Sequence, residues 1–278
     1  MAPAHLVPDG SAPSPVTTAT VPAVPARVLD LFAVPDDVRP LPGGHGGSVV
    51  AGDLVLSPGR DATTQDWLSP VLARLAVGLD LERPRAMRIA MPIPSRAGSW
   101  VVDGWAASRY EPDTTACTDL DVLVATGRVL HARLDVTVRE RPAGLDERND
   151  RWARADRLVW GPADALAAAV APYGSEAKRW VGELDPDADL GPDQLVHGDL
   201  AGNVLLDAHG TPVVIDLAPY WRPALWAEAV CVLDAVTWHG ADPAVVDSWS
   251  QGRECQAMLR ARLFRLLSDP PAGHPTLR

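Results

Sequence analysis

The stretch LVHGDLAGNVLLDAHGTPVVIDLAPYW, residues 195–221, constrains the fold of this chain more than any other part of its sequence. Two short apolar runs, 204–206 and 213–215, stand on either side of the turn-forming residues 207–210. Apolar runs separated by a short polar segment with glycine predict a β-hairpin. Polar side chains gather at the two ends of the predicted hairpin, namely His197, Asp199, Asn203 and Asp216. The sequence therefore predicts that two carboxylates and an amide converge beside one hairpin.

These residue types suit phosphoryl transfer. Asp199 could accept a proton from a hydroxyl group, while Asn203 and Asp216 offer the hard oxygen ligands that Mg²⁺ takes when nucleotide phosphates also hold it. An ordinary hairpin with a solvated Asx turn on each side is the alternative interpretation. For His197 we expect a structural role, in which the ring anchors the loop through hydrogen bonds.

The motif HGDLAGN followed by VVID resembles the catalytic and metal-binding segments of the aminoglycoside-phosphotransferase-like branch of the protein-kinase-like fold, which also includes choline and homoserine kinases. HGDLAGNVLL, IDLAPYWRP and VVDGWAASRY resemble more closely an actinobacterial group within that branch. The resemblance covers about residues 27–268. In most of the branch five steps separate the catalytic aspartate from the asparagine, whereas Asp199 and Asn203 are four steps apart.

The resemblance implies an α+β fold with two lobes, in which a small antiparallel sheet forms the N-lobe and helices dominate a larger C-lobe. It also implies that Asp199 is the catalytic base and that Asn203 and Asp216 are the Mg²⁺ ligands. The implied organisation is a Pro/Ala-rich tail over residues 1–25, an N-lobe over 26–112 and a C-lobe over 113–278. The tail lacks periodicity, which predicts flexibility, although a proline-rich segment could also lie across a partner.

The composition of the chain argues against some classes of binding partner. The net charge of -11 argues against a nucleic-acid partner, which requires a basic surface, and slightly favours a cationic or neutral acceptor. No apolar run approaches the length of a membrane span, and the first residues lack the basic and apolar regions of a signal peptide. The three cysteines show no spacing for zinc or a disulfide framework. We therefore expect a cytoplasmic protein without a membrane partner.

A glycine-rich segment precedes the second predicted hairpin, formed by the runs 49–50 and 54–56. Its glycines are Gly43, Gly44, Gly46 and Gly47. A glycine-rich hairpin can bring backbone N–H groups close to nucleotide phosphates, although many such hairpins are plain turns.

The resemblance also implies that this chain lacks one positively charged residue of the nucleotide site. In the family, the strand after the glycine-rich loop carries a lysine that contacts the nucleotide phosphates, and Ser57 stands at that position here. Lys178 is the only lysine in the chain, so Arg60, three residues after Ser57, is the candidate replacement. The family's hinge falls on residues 108–112, which implies that the backbone around Arg109 and Tyr110 hydrogen-bonds the adenine.

Periodicity predicts the remaining elements. Residues 64–79 are expected to form a helix, residues 85–93 and 99–108 two strands, and the segments 120–134, 223–238 and 243–269 helices. The segment after Asp216 is interpreted as a loop on the acceptor side of the cleft. Its residues Tyr220, Trp221 and Arg222 are predicted either to contact the substrate or simply to pack.

Two functions remain open. The first is a phosphotransferase that uses ATP, or another nucleoside triphosphate, with Mg²⁺ and acts on a hydroxyl of a small-molecule acceptor. The second is a pseudokinase-like protein that binds a nucleotide, transfers phosphate poorly or not at all and serves a protein partner, as the serine at position 57 favours. A non-kinase reaction at the same site is unranked, and a metal-only hydrolase is disfavoured because His209 lies at the far end of the hairpin from Asp216.

Overall fold

The computed structural model describes residues 23–41 and 47–269. Its strands are β1 (Val38–Pro40), β2 (Val49–Ala51), β3 (Leu54–Ser57), β4 (Arg88–Ile89), β5 (Pro92–Ile93), β6 (Val101–Val102), β7 (Trp105–Arg109), β8 (Thr115–Ala116), β9 (Asp193–His197), β10 (Val204–Leu206), β11 (Pro212–Val214) and β12 (Pro219–Pro223). Its α-helices are α1 (Ala26–Phe32), α2 (Ala62–Leu81), α3 (Leu120–Thr137), α4 (Gly144–Glu147), α5 (Arg151–Val159), α6 (Ala163–Val170), α7 (Gly174–Gly182), α8 (Ala224–Trp238) and α9 (Gly252–Ser268). Residues Ala171–Tyr173 and Pro243–Trp249 are 3-10 helices.

The N-lobe is built on an antiparallel sheet of strand order β1-β2-β3-β7-β5. Strand β6 pairs with the first two residues of β7. The predicted hairpin of β2 and β3 is present, and Gly52 at its turn has φ +59°, which a glycine adopts without strain. Trp105 is buried against Val28 and Leu56, so its indole belongs to the core of this lobe.

Helix α2 joins the two lobes. It begins at Ala62, and the side chain of the N-cap residue Asp61 accepts a hydrogen bond from the backbone N–H of Thr64 at 2.7 Å. One face of α2 packs into the same apolar cluster as α3 and the hairpin strands β10 and β11. The buried residues of this cluster include Leu68, Leu72, Leu79, Leu123, Leu130, Leu195, Val204 and Val214.

The single strand predicted over residues 85–93 is wrong in detail, because this segment forms two short strands in different sheets. Strand β4 lies parallel to β11 in a four-stranded sheet of order β4-β11-β10-β8, whereas β5 pairs with β7 of the N-lobe. The backbone shows where the chain changes sheets. Ala90 donates to the carbonyl of Val214 on one side, and Met91 accepts from the N–H of Arg109 on the other.

The segment after Asp216 was predicted to be a loop, and this prediction is also wrong. Residues 219–223 form β12, which pairs antiparallel with all five residues of β9. Its two prolines occupy the first and last positions of the strand, where a missing N–H disturbs the ladder least. Strand β12 therefore fixes the chain after the β10–β11 hairpin against β9, the strand that precedes that hairpin.

The C-lobe is mainly helical, with a core formed by α5, α8, α9 and the β9–β12 ribbon around Trp226 and Phe264. The predicted helices over 64–79, 120–134 and 223–238 correspond to α2, α3 and α8. The predicted α+β fold with two lobes is confirmed. Within residues 23–41 and 47–269, no helix is both long and apolar enough to cross a membrane.

Candidate functional site

Two buried histidines hold the loop that follows β9. The backbone N–H of His197 donates to Nε2 of His131 on α3 at 3.2 Å. Nδ1 of His197 accepts from the backbone N–H of Asp199 at 3.1 Å and from that of Ala218 at 3.4 Å. His197 thus ties the loop before the hairpin to the strand after it.

Both imidazoles must be neutral to accept these hydrogen bonds. Burial lowers the pKa of His131 to about 3, and the nearby His197 acts in the same direction. Burial also lowers the pKa of His197, although the carboxylates of Asp199 and Asp216 oppose that change. A protonated His197 could no longer accept at Nδ1, so the neutral form is part of the loop's architecture.

The four-step spacing from Asp199 to Asn203 closes a tight loop. The Asn203 side-chain nitrogen donates to the backbone carbonyl of Asp199 at 2.6 Å and lies 3.2 Å from its Oδ2. These bonds orient the amide so that its oxygen points away from Asp199. Gly202 has φ +86°, and an added Cβ would lie 2.9 Å from the His239 ring. Glycine at position 202 is therefore what permits the shorter loop.

The second carboxylate follows directly from the hairpin. The backbone N–H of Ile215 donates to the carbonyl of Asn203 at 2.9 Å, which holds the two predicted metal-binding positions side by side. Asp216 adopts φ +46°, an uncommon conformation for a residue other than glycine. Strain of this kind is often retained where a side chain has to be aimed at a functional site.

A cation from the N-lobe reaches this carboxylate. Nη1 of Arg60 lies 2.5 Å from Oδ1 of Asp216. The loop that carries Arg60 is fixed because its backbone N–H donates to the carbonyl of Gly104 at 2.9 Å. Ser57 supplies no charge, and its hydroxyl lies 2.9 Å from that of Ser48. The structure therefore places Arg60, and not the residue on β3, opposite the carboxylates of the C-lobe.

Asn203 and Asp216 fit a shared Mg²⁺ site in their chemistry. They offer an amide oxygen and a carboxylate from adjacent positions of one hairpin, and a cationic group already contacts Asp216. The described residues, this site included, contain no cluster of three or more His, Cys, Asp or Glu side chains that could hold a metal. Two protein ligands are what a magnesium ion needs when phosphate oxygens and water complete its shell.

The other predicted nucleotide contacts are only partly described. Gly43, Gly44 and Gly46 lie outside the described residues, and Gly47 packs so closely on Pro58 that an added Cβ would lie 3.0 Å from its ring. In the hinge, the backbone N–H groups of Arg109 and Tyr110 donate to the carbonyls of Met91 and Asp53. Two hinge donors are thus engaged within the protein.

Two of the three residues predicted either to contact the acceptor or to pack make close contacts within the protein. Tyr220 is only 5% exposed, and its ring meets those of Trp226 and Phe264 at centroid distances of 5.4 and 5.6 Å. Arg222 forms a two-pronged ion pair with Asp156, at 2.8 and 2.7 Å. Because β12 is a strand and not a loop, Tyr220 and Arg222 are both engaged within the protein, and their contact with a substrate stays a prediction. Trp221 is partly buried against the α2–α3 cluster.

Sequence reasoning missed two charged residues beneath the catalytic loop. Nη2 of Arg265 donates to Oδ1 of Asp199 at 2.6 Å, and the same guanidinium binds Asp234 on α8. Burial raises the pKa of Asp234 to about 7 although Arg265 opposes that change. An aspartate inside the apolar run AEAVCVLDAVTW was the available signal, because a carboxylate on a buried helix face requires a partner.

The bilobal architecture with its catalytic hairpin defines the protein-kinase-like fold. Among solved structures, this chain is similar to an aminoglycoside phosphotransferase from Alicyclobacillus acidocaldarius, with a TM-score of 0.50 and 15% identity over 90% of this chain and 80% of the other. A choline kinase from Streptococcus pneumoniae gives a TM-score of 0.48 and 14% identity over 88% and 85%. At 15% identity the likeness to the Alicyclobacillus protein establishes the fold alone. No family model and no curated protein sequence matches the chain.

Proposed function

We propose that this protein is a phosphotransferase that moves a phosphoryl group from ATP, or another nucleoside triphosphate, to a hydroxyl of a small-molecule acceptor. The observation that carries the proposal is the convergence of Asp199, Asn203 and Asp216 beside one hairpin, with Arg60 facing them from the N-lobe. The shared fold supports it, since the similar Alicyclobacillus protein is an aminoglycoside phosphotransferase.

Each residue has a distinct role in this proposal. Asp199 accepts the proton of the acceptor hydroxyl through Oδ2, because Arg265 engages Oδ1. Asn203 and Asp216 hold Mg²⁺ through the amide oxygen and a carboxylate oxygen. When bound, the ion supplies neutralisation of the charge on the nucleotide phosphates. His197 keeps the catalytic loop in register through its two backbone bonds.

Arg60 takes the place of the absent lysine. Its guanidinium stands at the carboxylate that would hold the metal, so a nucleotide phosphate entering the cleft meets it there. Guanidinium groups pair well with phosphate oxygens, because their planar donors match two oxygens at once. The glycines Gly43, Gly44, Gly46 and Gly47 are proposed to cover the phosphates, and the hinge at Arg109 and Tyr110 to border the base.

A second candidate function rests on the same ion pair. If Arg60 keeps its hold on Asp216, the carboxylate is unavailable for metal, and Ser57 offers no replacement cation. The protein would then bind a nucleotide weakly and act as a pseudokinase-like partner of another protein. The two candidates differ in the dependence of nucleotide binding on Mg²⁺ and in turnover.

Calorimetric titration of ATP, with and without Mg²⁺, tests the proposal on the wild-type protein and on Asp216→Asn. Asp164→Asn is a matched control, because Asp164 is an exposed carboxylate on α6. We expect binding that needs Mg²⁺, is lost in Asp216→Asn and persists in Asp164→Asn. ADP release with choline, glucosamine and an aminoglycoside then tests transfer. No binding of Mg²⁺ and ATP at millimolar concentration would refute both candidate functions.

A further inference from the structure

Helix α9 brings a buried guanidinium beneath the catalytic loop. The side chain of Arg265 is 10% exposed, and Nη2 lies 2.6 Å from Oδ1 of Asp199 and 3.5 Å from the carbonyl of Gly198. The contact joins the end of the chain's last described helix to the loop after β9. It crosses 66 residues of sequence, so it belongs to the tertiary structure and not to the loop itself.

A second carboxylate, that of Asp234, also binds the guanidinium of Arg265. Asp234 on α8 is 1% exposed, and its two oxygens accept from Nε of Arg265 at 2.8 Å and from Nη2. A two-pronged bond to a carboxylate sets the plane of a guanidinium as well as its position. Nη2 carries two hydrogens, so one can serve Asp234 while the other serves Asp199.

Two rings prevent the guanidinium from turning away. Its central carbon lies 5.1 Å from the ring centroid of Phe264 and 5.5 Å from that of Trp238, the second ring being half exposed beside the loop. Asn203 contributes a weaker contact to Asp199, with 3.2 Å between the side-chain nitrogen and Oδ2. Most of the restraint on the Asp199 carboxylate therefore comes from Arg265.

We propose that Arg265 is a positioning residue that holds Oδ1 of Asp199 and thereby turns Oδ2 toward the acceptor hydroxyl, with Asp234 as the anchor of Arg265. The proposal rests on the proposed function, because it assigns a catalytic role to Asp199. It adds to that function a dependence on α8 and α9. The catalytic base is then supported by residues other than the proposed metal ligands Asn203 and Asp216.

The test uses a double variant, Arg265→Met with Asp234→Leu, because removing both members of a buried ion pair often leaves a protein folded whereas removing one does not. Arg265→Lys is the conservative variant. Arg262→Met is the matched control, since Arg262 lies on the same helix and stacks near Trp180, away from the site. The three variants and the parent are compared for thermal unfolding, for Mg²⁺-dependent ATP binding and for phosphate release from ATP with water as the acceptor.

We expect the double variant to remain folded and to bind Mg²⁺ and ATP like the parent, while kcat for phosphate release falls about 10²-fold and KM for ATP stays unchanged. Arg265→Lys should recover only part of the rate, because an ammonium group keeps the positive charge but lacks the planar donors that fix Arg265 on Asp234. Arg262→Met should match the parent. A double variant that is folded, binds nucleotide and releases phosphate at the parent rate would overturn the inference.

A crystal structure of the double variant tests the inference without any measurement of enzymatic rate. We expect the Asp199 carboxylate to leave its present orientation, and an unchanged Asp199 rotamer would overturn the positioning role. A parent that neither binds nucleotide nor releases phosphate refutes the proposed function instead, and with it the catalytic meaning of the orientation. The two failures are therefore distinguishable.

Discussion

Nη1 of Arg60 and Oδ1 of Asp216 lie 2.5 Å apart, although 156 residues separate the two positions in the sequence. The contact crosses from the loop after β3, in the N-lobe, to the exit of the catalytic hairpin. It places a permanent cation where the strand itself offers only the hydroxyl of Ser57. The loop after β3 therefore supplies beside Asp216 a guanidinium that β3 itself does not supply.

The first prediction concerns this cation. Replacing Arg60 by alanine should weaken Mg²⁺-dependent ATP binding about 10- to 100-fold, since a hydrogen bond to a charged group contributes about 1.5–3 kcal/mol. Adding Ser57→Lys to Arg60→Ala should restore part of the affinity by moving the charge onto β3. Calorimetry measures both effects.

Arg74→Ala is the matched control for that experiment, because Arg74 is an exposed arginine on α2. Its affinity should equal that of the parent. Tighter Mg²⁺ binding in Arg60→Ala would contradict the prediction and favour a blocking role for the ion pair, as the pseudokinase-like alternative requires.

Local patterns in the sequence predicted the parts of the site that local structure determines. The hairpin of β10 and β11 followed from two apolar runs and a turn, and helix α2 from the apolar periodicity of residues 64–79. Strand β12 was missed because its pairing with β9 is non-local and its prolines resemble loop residues. Arg265 and Asp234 were missed for the same reason, since their positions matter only once α8 and α9 pack beneath the loop.

The second prediction is a loss of stability in mild acid that originates at the two buried histidines. The folded-state pKa of His131 is about 3, below the usual value of 6.5, so the unfolded chain binds more protons between these pH values. Stability from this group is complete above pH 6.5 and is lost as the pH falls. At pH 5 the loss is about 2 kcal/mol for His131 alone.

Urea unfolding at pH 7.5 and pH 5 measures this loss in the parent and in His131→Gln, which keeps an acceptor but does not titrate. Asp234 acts in the opposite sense, because its raised pKa makes the folded state the better proton binder between pH 3.8 and 7. Because both the parent and His131→Gln contain Asp234, its contribution cancels when the two proteins are compared. His209→Gln, in the exposed turn, is the control and should behave as the parent; equal pH dependence in His131→Gln would disprove the assignment.

The third prediction concerns the close approach of Gly198 to Tyr220. A Cβ added at Gly198 would lie 2.4 Å from Cδ2 of the tyrosine ring, which Trp226 and Phe264 hold in place. Gly198→Ala should therefore destabilise the protein by about 1–3 kcal/mol through overpacking. It should also displace the adjacent Asp199 and lower phosphate release at unchanged nucleotide affinity.

Gly78→Ala is the control for that substitution, because nothing lies within 4 Å of an added Cβ at this helical position. It should stabilise the protein by about 1 kcal/mol, since alanine is the better helix former. Chemical unfolding measures both variants. A Gly198→Ala protein as stable as its parent would show that the Tyr220 ring has room to move.

The last prediction separates packing from substrate contact on β12. Arg222 and Asp156 have side chains only 11% and 12% exposed and share two hydrogen bonds, so Arg222→Ala leaves a buried carboxylate without its partner. This should cost about 3–5 kcal/mol in the free energy of unfolding, whereas Arg222→Met with Asp156→Leu should be nearly neutral. Denaturant titration measures the difference. Once an acceptor is known, we expect its KM to be the same in the double variant as in the parent, because both side chains are largely buried and engaged with each other. A raised acceptor KM in a stable double variant would indicate that Arg222 contacts the acceptor.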